Sequence, residues 1–230
     1  VNLNAKYSIP TNLKEDGDLY QITTEDGSDK ETELEAFDIV DEEKNIELSV
    51  NQSIYGKNSL NLAKVISQKA SSKPNVYYAQ GRNGLETECH TSLHAELINL
   101  ASGNNVHKCE TTNSFGKQSI NFEKVLSYNP EIILVYDKEF YENIYKDSKW
   151  KYIDAVKNKK VFLLPKGPFS WFDRPPSFMR LLGLKYIVSI LHPDLYNMDV
   201  YEESKKFYKL FLDLDLSDSQ IDDILGKNIW

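Results

Sequence analysis

Asn129-Pro130-Glu131-Ile132-Ile133-Leu134-Val135-Tyr136-Asp137 is the stretch that decides the fold. From Ile132 to Tyr136 the apolar run is unbroken, and Pro130 and Asp137 bound it. A continuous, β-branched run of this length fits a strand covered on both faces, as in a parallel sheet. A half-exposed antiparallel strand would alternate instead. Just upstream, Asn121 stands where an N-cap belongs and Phe122 to Tyr128 reads as a helix. Downstream come a polar helix around Lys138–Lys146 and a short one at Tyr152–Val156. A further apolar strand, Val161–Leu164, follows.

The same alternation extends both ways. Val76-Tyr77-Tyr78-Ala79 is a short β-prone run ended by Gly81 and Gly84, and Ser92–Ala101 is an apolar helix closed by Gly103. Pro175-Pro176 open the longest apolar helix, which carries Met179, Leu182, Ile187, Val188 and Leu191. Val200–Leu212 and Asp218–Leu225 form a helical tail, with Ser217 and Gln220 as the capping-box signature of the last helix. Asn58–Lys69 places Leu60, Leu62, Val65 and Ile66 at helical spacing. Strands alternating with helices predict an α/β fold: a parallel-sheet lobe with helices on both faces. Residues 12–45 are densely acidic, with only a loose hairpin signal at Asp26-Gly27, and read as irregular or short-stranded.

Composition narrows the class. With 230 residues, 40% hydrophobic and 27% charged, the chain has material for one large domain or two small ones and is not of a disordered type. A formal charge of −8 argues against a broad nucleic-acid surface. No run approaches the roughly 18 apolar residues of a membrane helix. The first residue is Val1, which reads as a trimmed or processed chain whose secretory signal has been removed. Twelve per cent aromatics fit an ordinary core or the lining of a cleft, and composition does not choose.

Ligands of open parallel sheets bind beyond the carboxyl ends of the strands. Three segments occupy that place: Gly81–Thr87, the residues from Tyr136 and Asp137 onward, and Lys166–Arg174. They carry Arg82, Tyr136, Trp171, Phe172 and Arg174, a set suited to a ligand with anionic and flat apolar parts. The competing reading pairs both arginines with nearby acids and plugs the core with Trp171.

His90 and His94, four residues apart, could share a helix face and hold a metal with Glu86 or Glu96. That pair supports a metal-binding enzyme as an alternative, although the helix start near Ser92 leaves His90 in a loop. Cys89 precedes a helix that advances about 15 Å. An extended return over residues 105–109 would bring Cys109 back to it. A disulfide useful in an oxidising compartment and two buried thiols both fit. No Walker loop, Gly-x-Gly-x-x-Gly, Gly-x-Ser-x-Gly or His-Glu-x-x-His sequence occurs, so a binding protein without intrinsic cofactor is expected over an enzyme.

The chain resembles the class III substrate-binding proteins of ABC importers. The segments that carry the resemblance are GRNGLET (81–87), HTSLHAELINLASGNNV (90–106), INFEKVLSYNPEIILVY (120–136), WKYIDAVKNKKVFLLP (150–165) and SWFDRPPSFMRLLGLKYIVSILHPDLY (170–196). It covers about residues 57–215. Such proteins carry iron-siderophores, haem, cobalamin or related metal chelates such as nickel complexes, with no chemistry on the ligand. The resemblance implies that Arg82, Trp171, Phe172 and Arg174 face the ligand and that Glu123 docks on the arginines of a membrane permease. It further implies a periplasmic or extracellular location, with membrane attachment only through the permease or a lipid anchor. For Glu123 the alternative is a first-turn acid favouring the helix dipole. The implied organisation is a shortened or incomplete amino-terminal lobe in residues 1–56, a linking helix over 57–72, and a carboxy-terminal α/β lobe over 73–230. A protein-docking module without a small ligand is a further alternative.

Overall fold

The computed structural model describes residues 39–111 and 116–227, with side chains from Leu48 onward. The chain divides into two units, Val1–Glu42 and Glu43–Trp230, and both sheets belong to the second. The expected hairpin at Asp26-Gly27 lies outside the described residues. Helix α1 spans Ile39–Lys69, so the helix expected over 57–72 starts 18 residues earlier and stops at Lys69.

After α1 the chain alternates as the sequence predicts. Strand β1 (Asn75–Ala79) is followed by β2 (Glu86–Glu88), a 3-10 turn at Leu93–Ala95 and α2 (Glu96–Leu100). Then come β3 (Asn104–Asn105), β4 (Lys117–Ser119), α3 (Phe122–Tyr128), β5 (Ile132–Val135) and α4 (Lys138–Asn143). A 3-10 turn at Trp150–Tyr152 leads to α5 (Asp154–Lys157), β6 (Val161–Leu163), α6 (Arg180–Leu191), α7 (Val200–Leu212) and α8 (Asp218–Leu225). The caps expected from sequence are present: Asn121 Oδ1 accepts the Lys124 N–H, and Ser217 with Gln220 closes a reciprocal capping box.

The main sheet has the order β3-β1-β5-β6 and every pairing is parallel. The residues of β1 and β5 separate by parity. Val76, Tyr78, Ile132 and Leu134 point to one face, where they pack with Ala63 and Ile66 of α1, Leu97 and Ile98 of α2, and Leu184, Ile187 and Val188 of α6. Tyr77, Ala79, Ile133 and Val135 point to the other, against Val125, Phe140, Trp150 and Ile153. Both faces are dry, which is why the run around Ile132 shows no polar alternation. All four side chains of Ile132–Val135 are buried.

Two expectations need correction, and one element is new. The buried stripe of α1 is Tyr55, Ser59, Ala63 and Ile66, whereas Leu60 and Val65 are exposed. The helix expected from Pro175-Pro176 begins at Arg180 instead. A proline disfavours helical geometry in the residue before it, so Pro176 keeps Pro175 out of the helix. Finally, β2 and β4 form an antiparallel ribbon, with Thr87 opposite Gln118, that the sequence did not announce. Among the described residues no helix is long and apolar enough to cross a membrane.

Candidate functional site

The strand order reverses between β1 and β5: the chain leaves β1 toward β3 on one side and returns to β5 on the other. The loops leaving such a pair diverge, and their carboxyl ends form the crevice in which open α/β sheets take ligands. Here the two loops are tied by the Gly81 N–H, which donates to Asp137 Oδ2 at 2.6 Å. The segment after β6 folds over the same end. Lys166 Nζ lies 3.3 Å from the centre of the Tyr136 ring, and the Tyr136 hydroxyl donates to the Arg174 carbonyl at 3.5 Å.

Arg174 is the focus of a buried polar network. Its guanidinium donates to the Gln80 side-chain oxygen at 3.1 Å and pairs with Glu88 and, at 3.3 Å, with Asp173. Glu88 is wholly buried, and its other oxygen accepts the Ser92 hydroxyl at 2.9 Å. Gln80 Nε2 also donates to Glu88 at 3.3 Å. Asp173 is 1% exposed and lies 2.5 Å from His94 Nδ1. Burial pushes the Asp173 carboxyl above the usual carboxylate range, against the opposing pull of His94 and then Arg174. Gly116, at φ +72°, closes over this network, because a Cβ there would collide with Glu88 and crowd His94. The side chain of Arg174 keeps about one-fifth of its surface open (21%), so a cation held by buried acids reaches solvent at the crevice.

The structure brings together part of the expected set. Arg174 and Tyr136 meet at the crevice. Arg82 lies on the β1 loop but is exposed and pairs with Glu139 at 3.3 Å, as the competing reading expects. Trp171 and Phe172 do not face a ligand in this lobe; they are 0% and 1% exposed. The Trp171 indole N–H donates to the Tyr208 hydroxyl at 3.1 Å within the core under α6 and α7, and Phe172 packs on Tyr78. Burying two large aromatic rings is favourable, and the loop turns them inward.

The histidine pair does not converge. His90 Nδ1 accepts the Cys109 N–H at 3.2 Å, whereas His94 is held by Asp173. The turn preceding the helix sends the two rings to different partners. His107 is the histidine that approaches both sulfurs, but Cys89 and Cys109 form a disulfide with Cα atoms 4.9 Å apart, so neither sulfur is a free ligand. A hollow lined by His90, Thr91, Ser92, Leu93, Glu96 and Asn99 opens beside them, and neither Arg174 nor Lys166 lines it. Glu123 is exposed in the first turn of α3.

Sequence reading missed Glu88, Asp173, Gln80 and Lys166. A carboxylate buried against polar partners that are distant in the chain leaves no periodic signature. Lys166 stands inside KGPFSWFDR, where nothing local marks it out from other surface lysines.

Known proteins share this fold. Residues 60–168 match the model of the periplasmic binding protein family. An ABC transporter solute-binding protein from Sulfurospirillum deleyianum is 39% identical with a TM-score of 0.74, covering 78% of this chain and 56% of its own. A periplasmic solute-binding protein from Veillonella parvula is 26% identical with a TM-score of 0.64, covering 81% and 55%. The molybdate-binding protein MolA of Haemophilus influenzae is 31% identical over 99 residues, which is 42% of this chain and 28% of MolA. The chain thus spans little more than half the length of these solved relatives and matches a smaller share of MolA.

Proposed function

We propose that the protein is an extracytoplasmic solute-binding component of an ABC importer, which captures a metal-containing anion or chelate and hands it to the permease without chemical change. The observation that carries the reading is Arg174, held by Glu88, Asp173 and Gln80 at the crevice between β1 and β5. A buried carboxylate pair that fixes one partly open guanidinium costs desolvation and serves stability poorly, but it preorganises a recognition group. The sequence pointed toward an iron-siderophore, with haem, cobalamin or a nickel complex as related cargo. MolA, whose name says molybdate, widens that class to metal oxyanions. The Cys89–Cys109 disulfide suits a periplasmic or extracellular compartment. Glu123, exposed at the start of α3, is the group we assign to the permease arginines.

The test is a thermal-shift panel on the full-length protein with molybdate, ferric citrate, a ferric hydroxamate siderophore, haem, cobalamin and nickel(II)-histidine. Saturation at 100 times the dissociation constant stabilises by about 2.7 kcal/mol. For a chain of this size that moves the midpoint by about 5–10 °C. No shift with any solute at millimolar concentration would overturn the reading.

A further inference from the structure

Each of the other cations at the carboxyl ends of the sheet has an acid to itself. Arg82 pairs with Glu139, Lys117 with Glu86 at 2.9 Å, and Arg174 with Glu88 and Asp173. Lys166 is different. Among the described residues its ammonium makes no ion pair and rests on the face of the Tyr136 ring. Asp137, the acid that acts on it, accepts the Gly81 amide and makes no ion pair with it, and Lys117 adds a like charge. Partial burial, then, pulls the Lys166 ammonium below the usual lysine pKa, with Asp137 opposing and Lys117 reinforcing.

An exposed ammonium that makes no ion pair among the described residues, stacked on the ring whose hydroxyl reaches the Arg174 carbonyl, is open to an anion at the crevice where a ligand would sit. We infer that Lys166, seated on Tyr136, is a ligand-contacting residue that selects for anionic oxygen, either of a free metal oxyanion or of a carboxylate-rich metal chelate. The inference rests on the solute-binding reading above and narrows it. Tyr136 serves as the platform: its ring holds the ammonium, and its hydroxyl is anchored to the Arg174 backbone. The two cations then grip one anion from the β6 side. A neutral cargo such as cobalamin gains nothing from them.

Isothermal titration of the full-length protein with molybdate and with ferric citrate separates the two sources. Lys166→Met is expected to weaken the bound probe by about 10- to 100-fold, the worth of a charge-assisted hydrogen bond. Lys166→Arg keeps the charge and the aromatic seat and is expected to recover most of that loss. Without solute, both variants should melt with the wild type, because the side chain is on the surface. Lys166→Met within twofold of wild type overturns the inference and leaves solute binding intact. So does a wild-type protein that binds cobalamin but neither anionic probe. A protein that binds nothing overturns both readings.

Discussion

Glu88→Ala tests how Arg174 is held. Glu88 is fully buried and makes an ion pair with Arg174, a hydrogen bond from Ser92 and one from Gln80. Removing one partner of a buried pair leaves the other charge uncompensated, a loss of about 3–5 kcal/mol. Arg174 retains Asp173 and an open fifth of its side chain, which puts the expectation at the low end, about 3 kcal/mol. At about 2–4 °C per kcal/mol, the melting midpoint should fall by roughly 6–12 °C. Glu88→Gln keeps the shape and the Ser92 contact and should cost about 1–2 kcal/mol. Arg174→Met, measured alone and with Glu88→Ala, completes a double-mutant cycle. The account expects the double variant to be more stable than the sum of the singles by about 1–3 kcal/mol. Urea titration with constant slope gives these differences directly. A loss below about 1 kcal/mol for Glu88→Ala, or strict additivity, would refute the claim that this carboxylate fixes the guanidinium.

Three further perturbations probe the frame around the site. In α6, Gly183 lies under the Trp171 carbonyl, and a Cβ there would occupy that oxygen's space; Gly183→Ala should therefore cost about 3 kcal/mol or more by thermal melting, with no compensation from a flexible side chain. The Cys89–Cys109 bridge closes a loop of 20 residues, so reductant should lower stability by about 3 kcal/mol, while the Cys89→Ser, Cys109→Ser double variant should be equally weakened and indifferent to reductant. Burial holds the His107 imidazole below its ordinary value of 6.5, so the unfolded chain binds the proton more readily. Stability from this group is complete above pH 6.5 and is lost as pH falls through the lower folded value. His107→Gln should flatten that acid limb, and an unchanged slope would contradict the assignment.

What was legible in the sequence had a local cause. The run Ile132–Tyr136 announces a doubly covered strand because both pleat faces meet helices, and the structure buries Val76, Tyr77, Tyr78 and Ala79 beside it for the same reason. Asn121, Ser217 and Gln220 act on backbone groups three residues away, so their roles can be read without knowing the fold. The ribbon of Glu86–Glu88 with Lys117–Ser119 could not be read this way. Its strands are three residues each, polar, and joined across 28 intervening residues. Trp171 and Phe172 were misplaced because an aromatic in a loop looks alike whether it faces a ligand or a core; only the approach of α6 and α7 decides. Lys166 gains its meaning from Tyr136, 30 residues earlier, and from the ion pairs its neighbours already make.

The location of the solute is the most direct test. The full-length protein, purified from its own host with the solute it retains, can be crystallised and the metal placed by anomalous scattering. The account predicts a metal-bearing anion within hydrogen-bonding reach of Arg174 and Lys166, at the end of the sheet where the loops from Ala79 and Val135 diverge. A metal seated in the hollow of His90, Glu96 and Asn99, or on any face that leaves Arg174 and Lys166 untouched, would contradict it.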